Sequence, residues 1–455
     1  MNKSYLNKFN KMIIQFFQKL YNSIKLNNFF KDRKYLLLVI LLISMITVYI
    51  IIKIFLEPKS LYAIDHKNKK IYFGQTCDLH NNRVSIDYST GYILAFQKIN
   101  RTGILDGYTL HIIRFNDKYE THLSIINSRL LIDYYNVLSL IGSFGTPTTV
   151  GIFDEVIKDK KVGLIGPFTA GTSYRKVFNK YRIYMNTDFY LEYDMIIKNM
   201  LKNNYRNISI IYQDDIYGNY FYNAFVDYLV EKNIDITIVS TGKYERNSND
   251  LDLSFTTTFE VDNAYDYDDY NSQHVLNNID AILLFTAEMQ ISNYLSKIKK
   301  INPKIAIYYN FFTGTRESNL RYMDDLNTDN IYQTLISYNL EKYPKLNKVY
   351  KEEIELYNAK NLNKIEETNS SMEQGFYSGL MIGEVLKQFK DIDDINRESF
   401  IDMFYNMKNI DVYDMQIGPF IMNVNSEGIR YVELNQLTPQ LKFNTIDNYV
   451  KPIID

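Results

Sequence analysis

Cys77 is the only cysteine in this 455-residue chain, so no intramolecular disulfide can staple it and any exported part must rest on an ordinary hydrophobic core. Five scattered histidines beside one thiol offer neither a zinc site nor a Cys–His nucleophile. The formal net charge is −2, which leaves no basic surface for nucleic acid outside the N-terminal segment. Tryptophan is absent while tyrosine reaches 41, with Asn, Ile and Lys also abundant. That bias is compositional, and the tyrosines read as packing and surface residues. Catalytic signatures are missing as well. Gly74-Gln75-Thr76-Cys77-Asp78 is not a G-x-G-x-x-G turn, and no P-loop, H-E-x-x-H or G-x-S-x-G occurs. His111 lies on an apolar run as a structural residue, and no repeat of solenoid period is visible.

What is present begins with Leu36 to Ile52, seventeen uncharged and almost wholly apolar residues. Continued across Lys53 to Leu56, the run makes about 31 Å of helix, enough to cross a hydrocarbon core. Lys53 sits near its end, where the stem can snorkel. Ahead of it, residues 1–35 carry eight cations (Lys3, Lys8, Lys11, Lys19, Lys25, Lys31, Arg33, Lys34) against Asp32 alone. Positive residues stay inside, so a transmembrane helix over 36–56 is expected with the N-terminus cytoplasmic and the C-terminal domain extracytoplasmic, in the periplasm or at the cell exterior. A cleaved signal peptide competes with this uncleaved anchor. The long basic region, the long apolar core and the lack of a small-x-small site before Glu57 and Pro58 count against cleavage. Leu6, Phe9, Met12, Ile13, Phe16, Phe17, Leu20 and Ile24 recur at helical spacing between lysines, suited to an anionic leaflet or to a partner protein.

From Lys70 short apolar runs alternate with amphipathic stretches. Strands are expected at Ile71–Gln75, Thr109–Phe115, Val137–Ile141, Val162–Ile165, Ile208–Tyr212, Ile234–Val239, Ala281–Phe285 and Lys304–Tyr309. Helices fit at Ser85–Asn100, Thr121–Asp133, Thr148–Asp159, Phe189–Asn203, Gly218–Lys232, Glu288–Lys300 and Met372–Phe389. This order argues for an α/β fold with mostly parallel sheets. Phe259 to Tyr270 interrupts it with five acids among tyrosines. The stretch lacks the glycine and terminal glutamate of an EF-hand and reads as an exposed acidic loop. No metal or cofactor is expected.

Two strand-to-helix turns are rich in hydroxyls and glycine. Ile141-Gly142-Ser143-Phe144-Gly145-Thr146-Pro147-Thr148-Thr149 has Thr146 as expected N-cap and Pro147 as N1. Its N–H groups, with the Thr146 and Thr148 hydroxyls, suit a carboxylate or another anion. Gly166-Pro167-Phe168-Thr169-Ala170-Gly171-Thr172 follows the next strand, and turns at neighbouring strand ends line one crevice in an open α/β sheet.

The succession of motifs resembles the type I periplasmic solute-binding proteins of the branched-chain amino acid receptor (Leu/Ile/Val-binding) class, from about Ile71 to Phe443. It is carried by Ile71-Tyr72-Phe73-Gly74-Gln75-Thr76, Gly91 to Phe96, Ile99 to Gly103 and Leu105-Asp106-Gly107. The two turns, Tyr212-Gln213-Asp214-Asp215-Ile216-Tyr217-Gly218, Glu373-Gln374-Gly375-Phe376 and Ile417-Gly418-Pro419-Phe420 complete it. The resemblance implies a bilobed domain over 65–450 with three crossovers: lobe one at about 65–187 and 333–415, lobe two at about 188–332 and 416–450. It further implies that Thr146, the Phe168 backbone and Thr169 grip a ligand carboxylate, with Arg83 to Asp87 on the rim. Tyr217, Phe285 and Thr286 would cover the ligand from lobe two.

Amino acid receptors of this class set an acid of lobe two against the ligand ammonium, commonly just after the strand that ends here at Tyr309. This chain reads Asn310-Phe311-Phe312-Thr313-Gly314-Thr315 there, leaving Asp215, Glu288 or Glu317 as substitutes. A carboxylate lacking an amine, an amide or a peptide therefore stays open beside an amino acid. The function implied is a non-enzymatic, membrane-anchored solute-binding protein that closes its lobes on a small polar ligand for an ABC permease. A ligand-sensing subunit of a signalling receptor complex is the alternative, and an exported hydrolase is more remote. No transporter, kinase or cyclase is expected on the chain itself.

Overall fold

Eight residues from Lys70 to Cys77 alternate little and bury both faces, as a central strand must when helices cover its sheet on each side. In the computed structural model, which describes residues 63–103, 107–158, 160–171, 175, 177–246, 278–286, 294–295, 298–313, 329–438 and 443–452, this strand is β2 of the first of two large sheets. That sheet holds β1 (Ile64–Asp65), β2, β3 (Thr109–Asn116), β4 (Leu140–Ile141), β5 (Leu164–Ile165) and β6 (Arg182–Ile183). Its order is β1-β2-β4-β5-β6, with β3 also on β2. Between them run α1 (Arg83–Thr102), α2 (Thr121–Arg129) and α3 (Thr146–Ile152). The last two each continue into a π-helical turn, at Leu130–Tyr134 and Phe153–Ile157.

The chain then leaves this lobe through 184–188. α4 (Phe189–Lys202) opens a second lobe containing β7 (Asn207–Gln213), α5 (Ile216–Glu231), β8 (Thr237–Tyr244), β9 (Ala281–Phe285), β10 (Ala306–Tyr309) and β11 (Ile331–Leu335). It returns to the first lobe with α6 (Pro344–Lys360), α7 (Ser370–Leu386), α8 (Arg397–Met407) and the small ribbon β12 (Ile410–Val412) with β13 (Met415–Ile417). After a third passage, β14 (Tyr431–Leu437) and β15 (Phe443–Val450) join the second sheet, ordered β15-β14-β11-β10-β9-β7-β8. The second passage follows Leu335, three residues later than the boundary expected at 332/333, because Ile331–Leu335 pairs with β10 and β14 along its whole length.

The sheets are mixed, which corrects the expectation of parallel lobes. β1 runs antiparallel to β2, and β14 antiparallel to both β11 and β15. A short connection can join only antiparallel neighbours, and the link from Leu437 to Phe443 is too short for a crossover helix. The strand expected at Ile234–Val239 lies instead at Thr237–Tyr244, an edge strand with a largely exposed, alternating pattern. The apolar run pointed to the wrong end of it.

Helix starts follow local chemistry. Asn82, Asp188, Asp215, Asn369 and Asn396 each accept backbone N–H groups at the N-termini of α1, α4, α5, α7 and α8. α1 and α7 pack closely enough that a Cβ at Gly91 would lie 2.2 Å from Met372 O, and one at Gly375 2.1 Å from Tyr88 O. Only glycine permits that approach. Beneath lie Phe73, Tyr92, Phe376 and Phe400, all fully buried. Burial of each such apolar side chain contributes roughly 1.5–3 kcal/mol.

The expected transmembrane helix, the basic segment, the acidic stretch 259–270, Glu288 and Glu317 lie outside the described residues. Among the described residues no helix is long and apolar enough to cross a membrane, and no His/Cys/Asp/Glu group is arranged for a metal ion.

Candidate functional site

β4 and β5 are two residues long as strands, yet their pairing continues into the turns. Phe168 N donates to Ser143 O at 2.7 Å and Gly145 N to Phe168 O at 3.1 Å. This extension stacks the Phe144 ring on Phe168, centroids 5.2 Å apart and 15° from parallel, and brings Thr146 Oγ1 within 2.7 Å of Thr169 Oγ1. The two hydroxyl-rich turns do converge.

The local detail differs from expectation. Gly145, at φ 92°, is the N-cap of α3, and Thr146 and Pro147 are already helical. A Cβ at 145 would lie 2.1 Å from the Tyr119 ring, so glycine is required for space as well as for φ. Thr148 is fully buried and donates its hydroxyl to Gly145 O (3.0 Å) and Phe144 O. Its oxygen therefore serves the helix start and does not face the cleft.

From the second lobe, Tyr217 and Asn310 are joined hydroxyl to side-chain amide (3.1 and 3.2 Å). Asn310 Oδ1 also accepts from Thr313 N and Oγ1. This ties the turn after β10 to the start of α5 and sets the Phe311 and Phe312 rings against Phe168, at 5.3 and 5.0 Å. Thr286 lies beside Thr313, whose Oγ1 accepts its N–H at 3.2 Å, while the buried Thr286 Oγ1 has no hydrogen-bond partner among the described residues. Phe285 points the other way, as consecutive strand residues do, and packs on Phe221 at 3.8 Å in the core.

A narrow cavity of about 30 Å³ lies where the lobes meet. Its aromatic wall is Tyr119, Phe144, Phe168, Tyr217 and Phe312, and its polar groups are Asn82, Thr146, Gln213 and Thr286. The lining, aromatic with few polar groups, has the character of a site for a small molecule with an apolar body, and the lobes must part for one to enter. Of the expected residues, Thr146, Phe168, Tyr217 and Thr286 line it, and Thr169 stands behind Thr146. Thr148, Phe285 and Asp215 do not line it.

Asp215 caps α5. Oδ1 accepts from Tyr217 N and Gly218 N at 2.8 and 3.2 Å, and Oδ2 from Gln213 Nε2 at 2.7 Å. Burial raises its pKa against those hydrogen bonds and Arg246. With its oxygens engaged this way, Asp215 is not placed to meet a ligand ammonium, and among the described residues the cavity lining carries no charged side chain.

Sequence reasoning missed Tyr119, Phe144, Gln213 and Phe312, whose convergence depends on contacts between distant segments. It also missed Glu192. This fully buried carboxyl accepts from Phe311 N (3.1 Å) and Thr334 Oγ1 (2.5 Å), behind the turn that carries Phe312. Burial pushes its pKa up to about 7, against those two hydrogen bonds. An acid in the first turn of a helix reads from sequence as a surface residue.

The receptor family ligand binding region matches residues 89–412. Among solved structures the chain is similar to a possible leucine/isoleucine/valine-binding protein from Rhodopirellula baltica SH 1, with TM-score 0.71 and 16% identity over 85% of this chain and 98% of that one. It is similar too to the branched-chain amino acid transporter substrate binding protein LivJ from Streptococcus pneumoniae in complex with isoleucine (TM-score 0.65, 15% identity, 84% and 99% covered). A fatty acid ABC transporter substrate-binding protein from Thermomonospora curvata gives TM-score 0.65 at 14% identity, with 87% and 96% covered. At these identities the likeness is one of fold, the two-lobed periplasmic-binding-protein type I fold. No curated protein matches by sequence.

Proposed function

The chain belongs to the receptor family whose ligand binding region matches residues 89–412, and from that membership we propose that it is a membrane-anchored extracytoplasmic solute-binding protein, serving an ABC-type transporter. Its ligand is a small polar molecule, an amino acid or related carboxylate. The protein is not an enzyme, since capture by lobe closure needs no covalent step and ligand energy goes into shifting open and closed populations.

The observation that carries this reading is a single cavity lined from both lobes. On one side is Thr146, backed by Thr169, and on the other Tyr217 and the Thr286 hydroxyl, which has no hydrogen-bond partner among the described residues. A carboxylate accepting from such hydroxyls gains charge-assisted hydrogen bonds, and the aromatic wall accommodates an apolar remainder. The uncharged lining among the described residues favours a carboxylate without an ammonium over a zwitterion. The solved structures of this fold include proteins named for leucine, isoleucine and valine and for fatty acids, which supports a carboxylate-bearing ligand of either kind.

A thermal-shift screen of the full-length chain against amino acids, their des-amino analogues and short fatty acids tests the assignment. A ligand at 100 times its Kd stabilises by about 2.7 kcal/mol. Absence of any shift across the panel would reject it. For the anchor, which the eight N-terminal cations and the apolar run at 36–56 support, protease added to intact spheroplasts should digest residues 58–455 while the membrane pellet retains full-length protein. A mature N-terminus near residue 58 would contradict that. The family is one of receptors, which keeps a second reading in view, a ligand-sensing subunit of a signalling complex. Co-purification with a kinase or chemoreceptor instead of a permease selects it.

A further inference from the structure

Arg175 follows the Thr169 turn and reaches toward two of the three passages between the lobes. Its Nη2 donates to Thr169 O (2.5 Å) and to Asn186 Oδ1 (2.6 Å), and its Nη1 to Asn186 O (2.9 Å) and Glu427 Oε1 (3.0 Å). The guanidinium lies 4.0 Å from the centroid of the Tyr184 ring. Both charged side chains are nearly buried, 5% exposed for Arg175 and 10% for Glu427. Outside them, Lys451 pairs with Asp188 at 2.9 Å and with Glu427 at 3.5 Å.

The groups contacted are not scattered. Asn186 and Asp188 belong to the first passage and Glu427 to the third. The two passages are themselves joined backbone to backbone, Tyr184 N to Ser426 O at 2.9 Å and Gly428 N to Tyr184 O at 2.8 Å. They form one strap, and Arg175 fixes the carbonyl of Thr169 to it. Thr169 in turn holds Thr146, which lines the cleft, through their 2.7 Å hydroxyl contact. A surface cleft of about 540 Å³ is lined by Arg175, Glu427 and Lys451.

We propose that Arg175 is a positioning residue that couples the ligand turn to the hinge strap and thereby sets the balance between closed and open lobes. The planar guanidinium suits this role, because one rigid group satisfies two carbonyls, an amide oxygen and a carboxylate at fixed angles. Rotation at the strap then moves the Thr169 carbonyl with it, and displacement of the Thr146–Thr169 pair is felt at the strap. The element with two states is lobe closure itself. The proposal rests on reading the cleft as a closing ligand site and adds the residue that sets its closure.

The test measures lobe separation on the full-length chain by double electron–electron resonance. Spin labels are placed at Ile126→Cys in the first lobe and Asn223→Cys in the second, both exposed, while the native Cys77 is buried. Arg175→Gln should lower the fraction at the short, closed distance at least threefold, and Arg175→Lys should recover only part, since an ammonium cannot span the four acceptors. Glu427→Gln keeps an acceptor for Arg175 and removes the charge. It should shift the same distribution in the same direction, and it stands in for Arg175→Gln if that variant does not fold. An unchanged distance distribution in a folded Arg175→Gln or Glu427→Gln chain overturns the proposal, as does full rescue by Lys. None of these readouts needs a ligand, so failure of the ligand screen would count against the functional reading and leave the hinge assignment to be judged alone.

Discussion

Glu120 of the first lobe and Arg246 of the second meet across the mouth of the cleft, Oε2 to Nη2 at 3.0 Å. Arg246 also lies 5.4 Å from the Tyr119 ring centroid, and Tyr119 OH accepts from Gln213 Nε2 at 3.4 Å. Every one of these contacts joins opposite lobes, so opening must break them all.

The first prediction concerns that latch. Glu120 is 35% and Arg246 22% exposed, so the ion pair contributes about 0.2–1 kcal/mol to closure. Glu120→Gln should weaken ligand binding up to about fivefold in low salt. The difference should shrink toward zero at high salt, where exposed charges are screened. Calorimetry at two ionic strengths checks this, and a salt-independent loss would mean that the charge is not what holds the lobes.

Thr146→Ala should cost on the order of 1–2 kcal/mol of binding through loss of a hydroxyl hydrogen bond to a charged group. Because Gly145 is the cap, the variant should keep its melting temperature to within the effect of one buried hydroxyl. Thr148→Ala should behave oppositely, with lower stability from the lost bonds to Gly145 O and Phe144 O and nearly unchanged affinity. Affinities that ranked the other way would reverse the two assignments.

Asp215→Ala removes a cap that accepts two backbone N–H groups, so about 1 kcal/mol of stability should go. The ratio of affinities for an amino acid and its des-amino analogue should not change. A selective tenfold loss for the amino acid would make Asp215 an ammonium partner despite its engaged oxygens.

Glu192 predicts a pH dependence. Its folded pKa, pushed up to about 7 by burial, lies above that of an exposed glutamate near 4.5. Between those values the unfolded chain has released the proton that the folded chain keeps. Stability from this group is therefore complete below about pH 4.5, falls as pH rises, and is lost above 7. The amplitude is on the order of 3 kcal/mol. Glu192→Gln keeps an acceptor for Phe311 N and Thr334 Oγ1, so it should be more stable than the parent at pH 8 and gain little at pH 5. Denaturant melts at both pH values decide it. An equal effect at both would place the carboxyl in contact with water.

Part of this structure was open to reading along the chain. Asn82, Asp188, Asp215 and Asn396 precede helices because their short side chains reach the N–H groups two or three residues on, a range that sequence contains. Ala281–Phe285 was legible as a buried strand because five apolar residues leave no exposed face. The order of such elements was enough to anticipate an α/β fold with hydroxyl-rich turns on neighbouring strands, while the division into two lobes came from the family resemblance. α6 and the antiparallel pair β14 and β15 had no such mark, and α8 was not anticipated although Asn396 caps it. Tyr431–Leu437 holds Glu433 and Asn435 fully buried, and polar residues on a core strand give the appearance of a loop.

The site itself was decided by tertiary contact. Tyr119 and Gln213 are 94 positions apart, Tyr217 and Asn310 93, and Arg175 and Glu427 252. No periodicity or spacing carries information over such distances. Local sequence determined which segments are strands and helices and where they begin, because hydrogen bonds within a few residues set those choices. Which rings face one cavity, that Asp215 turns to a helix end and Arg175 to the hinge, and that Glu192 is buried were decided only when separate elements packed, because packing selects among side-chain directions that the chain alone leaves equal.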